Sequence, residues 1–234
     1  MSSNIQIHKE FVDVRTKIKP LLVCLQYATT CNFLGRPLAG YKCQRPLLTH
    51  RATDALYAAQ KKFEQDGFQI VLYDAYRPLK AVKDLVAWGK SSETRPDLKA
   101  LYYPLYRKPD LFQKGYISEH SSHAGGSTVD ITLIKTENVK NFSPQGTLKK
   151  IQLADGRALT TLDDGTLDMG GHFDLFDPSA HQNTTCISHN AQQNRAYLKN
   201  VMTACGFEVI ATEWWHFTLT DEPFRNKSFD FDIV

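Results

Sequence analysis

Hydrophobic positions in the first half of the chain alternate between helical and extended spacing. Apolar residues three or four apart predict a helix over 52–63, which stops at Gly67. The short apolar run FQIVLY (68–73) predicts a buried strand, and renewed helical spacing predicts a second helix over 79–89. Residues 90–116 are polar and contain three prolines, so we expect a long surface excursion there.

The second half contains more strand-like patterns than the first. STVDITLI (127–134) predicts a strand in which Asp130 faces away from the neighbouring apolar side chains. Residues 151–162 predict a hairpin turning at an Asp-Gly pair, 198–205 a helix, and 207–219 a late strand rich in aromatic and β-branched residues. This mixture predicts an α+β fold: one domain over 1–234 with a mostly antiparallel central sheet flanked by helices.

Composition and charge exclude several classes of protein. The chain has 234 residues, of which 42% are hydrophobic and 23% charged, as in ordinary globular domains. A net charge of +3 without a run of basic residues does not indicate nucleic-acid binding. No apolar run approaches about 18 residues, so no membrane span is expected. The N-terminus lacks the order of a signal peptide, so we expect a cytoplasmic protein, or a periplasmic one if a leader has been removed.

Candidate metal ligands occur in two separate stretches. The five cysteines form no C-x-x-C pair, so a metal site here would use histidine and carboxylate. SSHAGGSTVD contains His123 and Asp130 seven residues apart, and EWWH contains Glu213 and His216. A hydrolytic zinc site needs three protein ligands and a free carboxylate as base. These four residues meet that requirement, although spacing alone does not separate ligand from base.

Other interpretations of these stretches stay open at this point. His120 rivals His123 through its H-x-x-H spacing, and further histidines are available at His172, His181 and His189. A histidine and an aspartate this far apart also occur by chance, and EWWH is compatible with a strand carrying interfacial tryptophans. In a flat strand Glu213 and His216 would face opposite ways, so a shared site needs a bulge, strong twist or strand end.

One arginine follows directly after the predicted strand 68–73. Arg77 lies in YDAYRP before Pro78, which favours an extended or turn conformation. A guanidinium held there would stabilise the negative charge that develops on a carbonyl oxygen during amide hydrolysis. Alternatively, Arg77 forms a structural ion pair with Asp74 or another carboxylate.

SSHAGGSTVD, EWWHF and YDAYRP together resemble the D-alanyl-D-alanine dipeptidases of the VanX type, which are zinc peptidases. The group pattern is S-x-H-x-x-G-x-A-x-D followed by E-x-W-H, and this chain departs from it at Thr128, where alanine is usual. YATTCNFLGRPLAGY (27–41), FDLFD (173–177) and DEPFRNKSFDF (221–231) extend the resemblance. It covers most of the chain from Tyr27 onwards, and the N-terminal segment with FDLFD indicates the dipeptidase branch.

The resemblance implies a role for each matching residue. It implies one Zn²⁺ per chain, held by His123, Asp130 and His216. Glu213 would act as general base and later as proton donor, and Arg77 would stabilise the oxyanion. The remaining matches concern a small D,D-dipeptide substrate: Asp174 would bind its ammonium group, Ser121 its carboxylate, and Tyr27 and Tyr41 would line the pocket. For the two tyrosines, ordinary core packing is the rival interpretation.

The expected function is hydrolysis of D-Ala-D-Ala to two D-alanines, and two alternatives accompany it. One is a D,D-carboxypeptidase or peptidoglycan endopeptidase of the same group; the other is a zinc-holding binding module without catalysis. The same chemistry would serve resistance to glycopeptide antibiotics or salvage of D-alanine from the cell wall. Residues 135–166 are longer than the resemblance implies. They could cover the pocket, tune substrate choice or form a subunit contact, and a tolerated surface insertion is the simplest interpretation.

Overall fold

A computed structural model describes residues 8–234 of the chain. The strands, in chain order, are β1 (Phe11–Asp13), β2 (Leu22–Val23), β3 (Leu47–Thr49), β4 (Phe68–Asp74), β5 (Thr128–Lys135), β6 (Thr147–Gln152), β7 (Ala158–Asp163), β8 (Phe207–Val209) and β9 (His216–Leu219). The α-helices are α1 (His50–Gln65), α2 (Leu79–Gly89), α3 (Pro96–Tyr102), α4 (Lys108–Gln113) and α5 (His189–Ala204).

A five-stranded sheet in the order β2-β4-β5-β9-β8 forms the centre of the molecule. Its first pair, β2 and β4, is parallel, and the remaining pairs are antiparallel. Strands β1 with β3 and β6 with β7 form two further antiparallel pairs. This arrangement confirms the predicted α+β fold with a mostly antiparallel central sheet.

Strand β5 lies in the middle of the sheet and is covered on both faces. Seven of its eight residues are buried, including the polar Thr128, Asp130 and Thr132. Helix α1 contacts the neighbouring β4 and packs against α5, so its apolar stripe covers one face. A polar side chain on a covered strand needs a partner, because burial without one is costly. Asp130 therefore lies where only a specific role justifies a carboxylate.

The predicted surface excursion over 90–116 is wrong in part. It contains α3 and α4, and it buries Tyr102, Tyr103 and Leu111 in the main core. Two of its prolines stand in the first turns of these helices, at Pro96 and Pro109, where a missing N–H has no cost. These prolines therefore start helices, although the proline content of 90–116 predicts a loop.

The predicted late strand over 207–219 is also divided. Strand β8 ends at Val209, β9 begins at His216, and residues 210–215 form the turn between them. The hairpin predicted over 151–162 is present and longer, formed by β6 and β7, and Gly156 adopts a positive φ of 88° in its turn. Within residues 8–234 no helix has both the length and the apolar character needed to cross a membrane.

Candidate active site

The register of the central sheet aligns three polar residues across adjacent strands. Asp130 on β5 lies directly opposite His216 on β9 and, on its other side, opposite Asp74 at the end of β4. Directly opposed residues have side chains within contact distance. Hydrogen bonding between the strands therefore fixes one carboxylate next to one imidazole before any side-chain interaction is considered.

His123 reaches the same point from a 3₁₀ turn that precedes β5. This turn, Ser122–Gly125, ends at Gly126, whose φ is 80°, and a Cβ there would lie 2.1 Å from the ring of Phe11. The Nδ1 of His123 donates a hydrogen bond of 2.7 Å to the backbone oxygen of Ala75. This bond assigns the proton to Nδ1, so Nε2 presents a lone pair, 3.2 Å from Oδ2 of Asp130.

His123, Asp130 and His216 form a group suited to a metal ion. One ligand atom from each lies within 4.8 Å of the others, and all three residues are buried. His123 Nε2 and Asp130 Oδ1 are buried without a hydrogen-bond partner among the residues described. Buried polar atoms are rarely left unpartnered, and a cation between them would satisfy both. The donor set therefore fits a divalent metal.

The second ring nitrogen of His216 is oriented by hydroxyl groups. Nδ1 of His216 lies 3.2 Å from Asp130 Oδ1. Nε2 of His216 lies 3.3 Å from Ser122 Oγ and 3.4 Å from Thr218 Oγ1. Thr128, the departure from the group pattern, bonds to Thr218 at 3.0 Å. When these hydroxyls accept from an Nε2–H, the imidazole is in the tautomer that leaves Nδ1 free for a metal.

The local charges keep Asp130 ionised. Burial alone would raise its pKa, but the imidazoles of His123 and His216 outweigh that effect and hold the pKa below the usual value. A carboxylate binds a metal in its ionised form, so this balance favours ligation.

Glu213 is placed by the turn that precedes β9. Its Oε2 lies 3.6 Å from Nδ1 of His216, which is the first residue of β9. The two side chains are therefore brought together at a strand end, one of the three arrangements that the sequence analysis named for a shared site. Gln182 donates hydrogen bonds to the backbone oxygens of Glu213 and Trp214 and fixes this turn. Burial raises the pKa of Glu213 to about 7, which suits a group that exchanges protons near neutral pH.

Arg77 is held in place from behind by Asp74. Its Nε and Nη2 each lie 2.9 Å from Oδ2 of Asp74, and Tyr41 donates a 2.7 Å hydrogen bond to the other oxygen. The guanidinium stacks 4.7 Å from the ring centre of Tyr27, and Nη2 lies 3.5 Å from Asp130. Arg77 thus both pairs with Asp74 and lies beside the metal group, two possibilities that the sequence analysis treated as alternatives.

A cavity of about 210 Å³ connects the metal group to the candidate substrate residues. Tyr27, Arg77, Ser121, Asp174 and Glu213 line it together with the three candidate ligands. Its volume lies below the roughly 300–1,000 Å³ typical of drug-sized ligands, which favours a small substrate. Tyr41 does not line the cavity, because its hydroxyl donates a hydrogen bond to Asp74. The sequence indicated Asp74 only as a pairing partner of Arg77.

Asp174 is the most unusual carboxylate in this cavity. It is 3% exposed, and its Oδ2 has no hydrogen-bond partner among the described residues. Burial and the nearby Asp130 raise its pKa well above the ordinary value. An unpaired buried carboxylate is costly, and a cationic group in the cavity would compensate it.

The remaining histidines lie outside the metal group. His120 is exposed at the rim of the cavity, and His189 is exposed at the start of α5. His172 is hydrogen-bonded to Thr161, and His181 is hydrogen-bonded to Tyr116. Within residues 8–234, His123 and His216 are the only histidines in the metal group.

Comparison with known proteins identifies the chain. Residues 8–147 and 144–234 match the family model Peptidase_M15, described as D-ala-D-ala dipeptidase. The chain belongs to this family. The resemblance noted in SSHAGGSTVD and EWWHF is confirmed, and the protein is a metallopeptidase.

Curated relatives in this family are D-alanyl-D-alanine dipeptidases. Those of Enterococcus faecium and Streptomyces coelicolor are 34% and 36% identical over 209 residues, covering 89% of this chain and 90% and 91% of theirs. That of Escherichia coli is 29% identical over 210 residues, covering 90% of this chain and 84% of its own. A solved vancomycin-resistance D,D-pentapeptidase with Zn(II) aligns over 77% of this chain and 76% of its own at 12% identity, but its TM-score of 0.36 is too low to establish a shared fold.

Proposed function

We propose that this chain hydrolyses D-Ala-D-Ala to two D-alanines and uses one zinc ion per chain. The observation that carries this proposal is a small cavity whose lining combines two kinds of group. One is the metal group with Glu213 and Arg77, and the other is the buried carboxylate of Asp174, whose Oδ2 has no hydrogen-bond partner among the described residues. A free dipeptide has a peptide bond for the first group and an ammonium for the second.

Zinc suits the three candidate ligands. Two imidazole nitrogens and one carboxylate oxygen form a common catalytic zinc set that leaves a position open for water or substrate. Bound zinc would lower the pKa of a water molecule and polarise a carbonyl group. One such group occurs in residues 8–234, which supports one ion per chain.

Glu213 would transfer the protons of the reaction. Its carboxylate takes a proton from the attacking water, and the resulting acid gives that proton to the leaving amide nitrogen. A pKa raised to about 7 by burial supports both steps near neutral pH. Glu213 Oε2 lies 3.6 Å from Nδ1 of His216, so the carboxylate of Glu213 stands beside the metal position. Glu213 is not itself one of the three candidate ligands.

Arg77 would stabilise the negative charge on the carbonyl oxygen as the nucleophile adds. Asp74 fixes the guanidinium through two contacts of 2.9 Å, so its orientation is set before substrate binds. A donor that is oriented in advance needs no reorganisation as charge develops in the transition state, and this preorganisation is a large part of its contribution to the rate. A module that only held zinc would need neither Arg77 nor Glu213.

Recognition of the two substrate ends follows from the remaining residues of the cavity. Asp174 would bind the free ammonium, since it is a buried carboxylate whose Oδ2 has no hydrogen-bond partner among the described residues. Ser121 would bind the C-terminal carboxylate, and Tyr27 would form the wall behind Arg77. Tyr27 belongs to one main core cluster that includes residues from Phe11 to Ile233, which supports a single catalytic domain over 1–234 with 135–166 as an insertion.

The test is release of D-alanine from D-Ala-D-Ala by purified protein, measured before chelation, after chelation and after zinc is restored. We expect release that chelation abolishes and one equivalent of zinc restores. Absence of release with zinc bound at one per chain would contradict the proposal. Faster hydrolysis of an acyl-capped peptide than of the free dipeptide would indicate a carboxypeptidase or endopeptidase.

A further inference from the structure

The backbone at Asp174 adopts a conformation that its surroundings must enforce. Its φ is 62°, and no other non-glycine residue within 8–234 has a positive φ. Residues with a Cβ avoid this left-handed region, and such strain persists only where neighbouring structure holds it. The contacts on either side of Asp174 therefore decide where its carboxylate points.

One of these contacts is an ion pair with the insertion hairpin, defined as strands β6 and β7 with their turn (Thr147–Asp163). Arg157, next to the turn, places Nη1 2.7 Å and Nη2 3.2 Å from the two carboxylate oxygens of Asp177. Asp177 is fully buried and follows Asp174 by three residues. A two-point contact of this kind fixes orientation as well as distance.

A second contact lies on the other side of Asp174. Thr161 of β7 accepts a 3.0 Å hydrogen bond from the backbone N–H of His172, and its hydroxyl lies 2.9 Å from Nδ1 of the same residue. Both residues are buried, with 6% and 8% exposure. His172 precedes Asp174 by two residues, so the hairpin holds the chain on both sides of the strained position.

Apolar packing joins these two polar contacts. Leu153 and Leu159 of the hairpin region belong to a small buried cluster with Leu175, the residue next to Asp174. No residue of 135–166 lines the catalytic cavity. The insertion hairpin therefore contacts the segment 172–177 from behind and touches neither the metal group nor the substrate position.

We propose that the insertion hairpin positions the Asp174 segment and thereby sets the selectivity for substrates with a free ammonium group. Arg157 and Thr161 are positioning residues in this proposal, since they act through Asp177 and His172. The proposal rests on the proposed function, in which Asp174 binds the ammonium of a dipeptide. It assigns residues 135–166 a part in substrate choice.

The experiment compares Arg157→Ala with the unmodified protein on D-Ala-D-Ala and on N-acetyl-D-Ala-D-Ala. We expect KM for the free dipeptide to rise roughly tenfold, with kcat less affected, because a displaced carboxylate weakens binding rather than chemistry. Turnover of the capped peptide, which has no ammonium, should stay within about twofold. Zinc content should remain unchanged. Arg157→Lys should restore part of the selectivity, because it keeps the charge but loses the two-point geometry.

Two further variants keep the result interpretable. Thr161→Val retains shape while removing the bonds to His172, and it carries the test if Arg157→Ala fails to fold. Arg15→Ala breaks a two-point pair with Asp13 far from the cavity and should leave both substrates unaffected. Equal losses on free and capped substrates, or unchanged KM in both hairpin variants, would overturn the proposal. If the unmodified protein releases no D-alanine, the proposed function itself fails.

Discussion

Two parts of the catalytic cavity are built in different ways: the metal end, which holds Asp130 and His216, and the loop end, which holds Asp174. At the metal end, Asp130 and His216 lie opposite each other on paired strands, so backbone hydrogen bonds set their separation. At the loop end, Asp174 lies in a loop with a φ of 62°. There, in our proposal, its position depends on the insertion hairpin, whose Arg157 contacts Asp177, 20 residues further along the chain.

This difference separates chemistry from selectivity. A strand register cannot shift gradually, because moving by one residue turns every side chain to the other face. A loop can shift by small amounts and tolerates changes in sequence and length. We therefore expect substitutions at the metal end to abolish turnover and those at the loop end to alter substrate preference.

Glu213→Ala should reduce kcat the most while leaving zinc bound. Loss of a general base typically costs roughly 10²–10⁴-fold, and Glu213 is not among the three candidate ligands. The measurement is kcat for D-Ala-D-Ala alongside zinc content. Glu208→Ala, an exposed glutamate paired with Arg225, serves as the matched control. Retained hydrolysis in Glu213→Ala would remove this residue from the mechanism.

Arg77→Lys should lower kcat by about 10²-fold, because an ammonium lacks the planar fork held by Asp74. The two contacts of 2.9 Å cannot both form with a lysine, so the charge is no longer aimed at the carbonyl oxygen. Steady-state kinetics measure the effect, and Arg51→Lys, at a surface pair with Asp221, is the control. A change confined to KM would contradict a role in transition-state stabilisation.

Thr218→Val should weaken zinc binding by about tenfold, because His216 Nε2 loses a hydroxyl partner. Thr128→Ala should have a smaller effect in the same direction, since it acts through Thr218. Competition with a chelator measures both. Thr132→Val is the control: it is buried on β5, and its hydroxyl has no partner among the residues described. Equal affinities in Thr218→Val and Thr132→Val would show that the hydroxyl does not orient His216.

His172 should make the loop end sensitive to acid. Burial lowers its pKa to about 3, so between the ordinary value near 6.5 and pH 3 the unfolded chain binds a proton that the folded chain does not. Stability therefore falls as pH falls through that window, by at most about 1.4 kcal/mol per pH unit from this group. His172→Asn should unfold with a shallower dependence on pH in denaturant titrations. Identical slopes would mean that His172 is not held neutral.

The residues of the metal end could be predicted from sequence, but their roles could not be predicted from spacing alone. His123, Asp130, Glu213 and His216 lie in short motifs, whereas the division into ligands and base, and the preference for His123 over His120, came from the family resemblance. The strand end that unites Glu213 with His216 was one of the alternatives required by spacing, and Gln182, 31 residues from Glu213, stabilises it. The single late strand predicted over 207–219 was wrong, because residues 210–215 form a turn held by contacts distant in sequence, such as those of Gln182.

The loop end could not be predicted in the same way. FDLFD indicates Asp174, but nothing local shows its positive φ or its dependence on Arg157 and Thr161. These contacts join positions 11 to 20 residues apart, and only folding brings them together. The pairing of Asp74 with Arg77 was one of the sequence alternatives, but the hydrogen bond from Tyr41, 33 residues away, was not predicted.

The most direct test of the division between the two ends is the selectivity of Asp174→Asn. The measurement is kcat/KM for D-Ala-D-Ala divided by kcat/KM for N-acetyl-D-Ala-D-Ala, in this variant and in the unmodified protein. We expect this ratio to fall by at least roughly tenfold in Asp174→Asn, because an amide no longer pairs with the ammonium, while zinc content stays constant. An unchanged ratio, with activity lost equally on both substrates, would contradict a separate role for the loop end.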